Sequence, residues 1–176
     1  MKHARRLAVF SLAALLLGCT TSHAPLPTVA GVDLDRYYGT WYEIARLPNR
    51  FQSMCASDVQ AIYRPDGERL SVLNQCRNEK GELEQARGIA KVVAGSQGAR
   101  LRVSFFRPFY GDYQVLALDP DYRWVLVGEP SRQYAWILAR SPRLDPVIRE
   151  TLLTRADALG FDRRAFMLTR HTPSSP

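Results

Sequence analysis

Apolar and polar positions alternate with period two through most of this chain. The run 100–106 shows it best, with Leu101, Val103 and Phe105 set against Arg100, Arg102 and Ser104. A strand turns successive side chains to opposite faces, so this run predicts a half-buried strand. Similar runs recur at a spacing of about ten residues, as in sandwiches and barrels. Thr40–Leu47 is the first. Ser57–Arg64 follows, with Val59, Ala61 and Tyr63 on one face, then Arg69–Arg77, with Leu70, Val72, Asn74 and Cys76 on one face. Glu84–Val93 places Ala86, Gly88, Ala90 and Val92 together, and Gly111–Asp119 does the same with Tyr113, Val115 and Ala117. Arg123–Glu129 and Gln133–Arg140 complete eight strands. In the last, Tyr134, Trp136 and Leu138 alternate with Ala135, Ile137 and Ala139. Pro65-Asp66-Gly67, Asn78–Gly81 and Gly95–Gly98 punctuate the series as turns.

One segment has a different period. Ile148, Leu152, Ala156 and Leu159 recur at helical spacing, after Asp145 as N-cap and Pro146 at N1, and before Gly160 as the stop. Ala165–Arg170 reads as a short closing strand. The fold expected is all-β: an eight-stranded antiparallel up-and-down β-barrel with one C-terminal α-helix packed outside. Closure removes sheet edges, and about eight strands suffice to hold one small ligand.

The ends carry other information. Lys2, Arg5 and Arg6 precede the apolar run Leu7–Leu17, which at 11 residues is too short to span a bilayer. Residues 1–18 therefore read as a signal peptide. Leu16-Leu17-Gly18-Cys19 resembles a bacterial lipobox, in which Cys19 is lipidated (palmitate among its acyl chains) and becomes the new N-terminus. Residues 19–32, with Pro25, Pro27 and Gly31, read as a flexible tether, 33–170 as the domain and 171–176 as a disordered tail. Thr20 after the Cys implies, by the lipoprotein resemblance, outer-membrane residence facing the periplasm.

Charge and histidine content narrow the chemistry. The formal charge is +7, but Lys2, Arg5 and Arg6 supply three of it, which leaves little to attract a nucleic acid. Between Ala24 and Arg170 there is no histidine. A Ser-His-Asp or Cys-His site needs an imidazole, as does a His-rich zinc site. Imidazole-based chemistry is thus excluded from this stretch, carboxylate or lysine chemistry stays possible, and no metal site or cofactor is expected.

Gly39-Thr40-Trp41-Tyr42-Glu43 heads the first strand, and Trp136-Ile137-Leu138-Ala139-Arg140 ends the eighth. Together they resemble the first and third motifs of the lipocalins. In that resemblance Trp41 plugs the closed end and Arg140 lies across its indole, with Gly39 completing the barrel closure. Leu118-Asp119-Pro120-Asp121-Tyr122 departs from the second motif, lacking its Thr and carrying one extra residue. Ser104–Tyr113, with the lipobox, is similar to the bacterial outer-membrane lipocalins, and Trp41–Pro48 is similar to the apolipoprotein D-like members. The resemblance implies a calyx for a hydrophobic ligand, here a fatty acid or lysophospholipid, and a binder rather than an enzyme, with no catalytic residue.

With Trp41 inward, period two sends Glu43 and Ala45 inward as well. The lipid-binding wall is then Tyr63, Val72, Asn74, Val103, Phe105, Tyr113, Val115, Tyr134 and Trp136. At the mouth, Arg50 and Phe51 in the first loop, Arg107 and Phe109 in the loop 107–110, and Arg132 form a greasy rim with cations suited to an acidic headgroup. Cys55 and Cys76 remain once Cys19 is lipidated, and an even pair in an oxidising compartment reads as a disulfide. A nucleophilic thiol is the competing reading. Two other functions stay open: a lipid-acting enzyme using Glu43, Asp119 or a thiol, and an envelope-assembly module with a filled barrel. Trp124, Leu126 and Phe106 either make a homodimer contact or lie under the helix.

Overall fold

In a computed structural model, residues 23–172 are described. The signal peptide, Cys19 and residues 173–176 lie outside them. The eight strands close as expected. They are β1 (Gly39–Arg46), β2 (Ser57–Asp66), β3 (Arg69–Arg77), β4 (Leu83–Val92), β5 (Arg100–Phe106), β6 (Phe109–Leu118), β7 (Trp124–Gly128) and β8 (Ala135–Ala139). Each pairs antiparallel with the next, and β1 pairs with both β8 and β2 to shut the barrel. A ninth strand, β9 (Met167–Leu168), is shorter than the closing strand expected and adds to β1 opposite Ala45 and Arg46. The helix expected from the 3.6 period is α2 (Pro146–Ala158), with the Asp145 carboxylate accepting from the Val147 amide at 2.7 Å. A second helix, α1 (Leu34–Tyr37), was not signalled by periodicity because it is one turn long; the Asp33 side chain caps it.

Two apolar clusters hold these elements. The inner one fills the lower barrel with Trp41, Leu70, Val72, Leu101, Val115, Val125 and Leu138. The outer one lies between the wall and α2, where Leu116, Leu126 and Ile137 meet Leu152, Ala156 and Phe161. Strands buried on both faces need apolar residues at consecutive positions. The runs Trp124–Gly128 and Ala135–Ala139 are such strands, whereas β4 keeps polar residues outside. Leu126 is thus fully buried under the helix, Trp124 packs beside it, and of the three residues weighed for a dimer contact only Phe106 stands out in solvent.

Two bulges overturn strict alternation. The β1–β8 register shifts between Glu43 and Ala45, so Ala45 faces Ile137 in the outer cluster and Arg46, opposite Trp136, turns inward. The expected inward Ala45 is therefore an outward residue. A second shift between Val115 and Ala117 likewise puts Ala117 in the outer cluster. An extra residue in one strand reverses the faces beyond it.

The chain ends are docked where the sequence suggested slack. Leu26 and Val32 are buried, and the Val29 and Val32 amides donate to Val115 and Gln97 carbonyls at 3.0 and 2.8 Å. At the other terminus, Thr169 donates its amide to Ile44 and Asp58 donates its amide to Arg170. The His171 ring donates Nε2–H to the Glu43 carbonyl at 2.7 Å and meets Tyr42 edge-on. Residues 167–172 thus wedge between β1 and β2 where those strands part.

Candidate calyx and its rim

The closed end is set by a few aromatic and cationic groups. Arg140 lies 3.9 Å over the Trp41 ring and donates to the Thr40 and Arg36 carbonyls at 2.9 and 2.6 Å. Gly39 sits beside it at φ +97°, a conformation that side chains rarely adopt, and an added Cβ would fall 3.3 Å from an Arg140 nitrogen. Trp41 donates Nε1–H to the Tyr37 carbonyl at 2.8 Å. The departing second motif has a definite task here. Asp119 accepts two bonds from Arg123, at 2.8 and 3.0 Å, and these hold its carboxyl below the usual range. Tyr122 accepts from the Asp33 amide at 2.8 Å while Arg36 lies over its ring. That turn anchors α1 as a plug.

Above the plug, three tyrosines form a polar floor. The Tyr113 hydroxyl is 2.6 Å from that of Tyr37 and accepts from Tyr63 at 3.2 Å. Burial pushes the Tyr63 phenol up to about 12 and raises Tyr37 and Tyr113 well above their ordinary values. All three hydroxyls are neutral hydrogen-bonding groups at physiological pH. Val72 and Val115, expected on the wall, are packed into this floor with almost no exposure.

Higher up, the inward positions open to solvent. Ala61, Asn74, Val103 and Trp136 are half-buried, and Phe105 is 44% exposed. Phe105 rests on Gly88, where a Cβ would come within 2.8 Å of its ring, so only glycine leaves space for it there. Tyr134 stacks on Trp136 and meets Phe51 from the first loop, which makes an aromatic ladder up to the rim. Phe106 and Phe109 stack on each other at the β5–β6 tip, exposed by 76% and 70%. Arg50 and Arg107, in the β1–β2 loop and at the β5–β6 tip, are exposed. Arg132 is not available in that way, since its guanidinium donates to the carbonyls of Ala24, Pro130 and Leu159.

Sequence reasoning missed a polar cluster on the upper wall. The β1 bulge brings Arg46 to Glu43 at 3.0 Å, both almost fully buried. Glu43 also accepts from Gln52 at 2.6 Å and Thr169 at 2.5 Å, and Gln52 accepts from Trp136 Nε1 at 3.0 Å. Arg46 Nε and Asn74 Oδ1 are buried polar atoms with no protein partner. A period-two pattern does not reveal a bulge, so Arg46 gave no signal. The first loop is fixed from below by this cluster and from the side by the Cys55–Cys76 disulfide, with Cα atoms 5.5 Å apart. Among the described residues, no three His, Cys, Asp or Glu side chains gather as a metal-holding group.

A family model described as a lipocalin-like domain matches residues 32–171. Outer membrane lipoprotein Blc of Escherichia coli K12 is 40% identical over 165 residues, covering 91% of this chain and 92% of that protein. Apolipoprotein D of Macaca fascicularis is 35% identical over 127 residues, 67% of this chain and 66% of its own length. Insecticyanin from the tobacco hornworm Manduca sexta has the same fold, with a TM-score of 0.69 at 21% identity over 85% of this chain and 86% of that one.

Proposed function

The chain belongs to the lipocalin family, and from that premise we propose that it is an outer-membrane-anchored protein that binds, and stores or transports, a single-chain lipid in the bacterial envelope. A fatty acid or lysophospholipid fits best. One observation carries this reading: the inward face is sealed and buried at the tyrosine floor but becomes aromatic and solvent-reachable toward the mouth. An acyl chain gains about 0.8 kcal/mol for each CH₂ it buries, and Trp136, Val103 and Phe105 offer the surface. Arg46 and Asn74 supply unpaired polar atoms within that wall, and Arg50 and Arg107 supply cations at the rim. The name of the E. coli relative supports the outer-membrane anchor through Cys19.

The groups an enzyme would use are otherwise engaged. Asp119 is paired with Arg123 at the closed end, Glu43 is bonded to Arg46, Gln52 and Thr169, and Cys55 and Cys76 are joined. The test is titration of the purified domain with oleate and with lysophosphatidylethanolamine, followed by Trp fluorescence. One lipid per barrel is expected, with affinity about tenfold weaker (~1.4 kcal/mol) in Trp136→Ala. Absence of saturable binding of either lipid overturns the reading and favours a filled barrel. Turnover of lipid that disappears in Glu43→Gln would favour the enzyme.

A further inference from the structure

The described chain begins at the mouth of the barrel. The Ala24 carbonyl accepts from Arg132 Nη2 at 2.5 Å, and Arg132 lies in the β7–β8 loop. That loop borders the mouth, since its Tyr134 packs on Phe51 of the β1–β2 loop, with ring centroids 5.6 Å apart. From Ala24 the chain runs down the flank to the closed end, where the Val32 amide reaches Gln97 in the β4–β5 turn. The ten residues 23–32 therefore do not act as free tether. Only four steps of chain separate Cys19 from His23, and four extended residues span at most about 14 Å. Cys19 can therefore lie no farther than that from His23.

The rim itself is unusually apolar. Eight of the ten large hydrophobic residues exposed among the described residues lie at this end, and only Val92 and Val147 do not. Strand order around the barrel puts the β1–β2 loop and the β5–β6 hairpin on either side of the β7–β8 loop. The first bears Phe51 and Met54, and the second bears Phe106 and Phe109. Arg50 and Arg107 accompany them. The β3–β4 turn, with Glu79, Lys80 and Glu82, is on the far side of the mouth. The first described residues thus sit beside the loop that lies between two apolar tips, each bearing an Arg, and away from the mixed-charge β3–β4 turn. Aromatic residues with nearby cations suit the headgroup region of a phospholipid bilayer.

We propose that the anchored protein lies mouth-down on the bilayer that holds Cys19. The β1–β2 loop and the β5–β6 hairpin enter its interface, and a lipid passes between bilayer and calyx without crossing water. This rests on the anchored lipid-binding reading above, and it adds an orientation and a route.

The test uses the full lipidated chain in vesicles of phosphatidylethanolamine and phosphatidylglycerol. A fluorescent amino acid replaces Phe109 in one variant and Glu68, in the closed-end β2–β3 turn, in another. Lipids with a spin label near the headgroup should quench the probe at 109 several-fold more strongly than the probe at 68. Equal quenching, or stronger quenching at 68, overturns the orientation. Energy transfer between probes at 109 without lipid quenching overturns it in favour of two copies meeting mouth to mouth. Failure of the chain to float with vesicles overturns anchor and orientation together. Oleate titration of the same preparations separates this proposal from the one it rests on. Quenching at 109 without oleate binding keeps the orientation and removes the calyx function. Oleate binding without quenching does the reverse.

Discussion

At the closed end, Arg140 lies over Trp41 and donates to the Thr40 and Arg36 carbonyls, Trp41 donates to the Tyr37 carbonyl, Tyr122 accepts from the Asp33 amide, and Trp41 is wholly buried. At the open end the same barrel leaves Phe51, Phe106 and Phe109 mostly in solvent and keeps Arg46 Nε and Asn74 Oδ1 unpaired. The strands are continuous between the two ends, so the difference lies in the side chains placed on them. Burying apolar area and pairing polar groups stabilises the fold. Leaving either undone gives up that stabilisation and leaves surface for a partner. The contrast predicts that stability is concentrated below the tyrosine floor and recognition above it.

The strongest way to break that contrast is Trp41→Ala. Removing a buried indole from a packed site costs about 3–5 kcal/mol. Urea unfolding should show that loss, and a loss below about 1 kcal/mol would mean that the plug is not what holds the barrel shut. The next test is at the floor itself. The Tyr63 phenol has an ordinary value of 10.0 and is raised to about 12 when folded. The native state then keeps a proton that the unfolded chain releases. This stability is complete below pH 10 and is lost as pH rises toward 12, by an amount on the order of 2 kcal/mol. Between pH 9 and 12 the wild type should lose stability more steeply than Tyr63→Phe. Parallel curves would mean that the hydroxyl is not buried as a neutral donor.

How much of this was legible in the sequence follows the same division. Strand alternation away from the bulges and the Asp145–Gly160 helix are local patterns that appear in the fold, while the Trp41–Arg140 contact, between residues far apart in the chain, was implied by the lipocalin resemblance. The pairing of Cys55 with Cys76 followed from counting. The bulges at Ile44 and Leu116 were not legible, because one extra residue in a strand leaves composition and period almost unchanged. They decide that Arg46 is inside and Ala45 and Ala117 are outside. The docked ends were hidden for a different reason. Pro25, Pro27 and Gly31 look like linker chemistry, yet Leu26 and Val32 fill sites made by strands distant in the sequence. Arg132 reads as a rim cation in one dimension, and only tertiary structure shows three carbonyls around it.

The smallest expected effect is the sharpest statement of the comparison. Phe106 and Phe109 are as large and apolar as core residues, but most of their surface is already in water in the folded state. Unfolding exposes little more of them, so Phe106→Ser and Phe109→Ser should each change stability by no more than about 0.5 kcal/mol. Their mutual stacking at 6.2 Å adds a contact that is itself solvated. Chemical denaturation of the single and double variants should therefore overlay the wild type. A loss comparable to a buried aromatic, several kcal/mol, would place the β5–β6 tip within the cooperative core and erase the distinction between the ends. Overlaid curves leave these two aromatics without a structural role in the free protein, and their exposure is then accounted for by what the mouth meets.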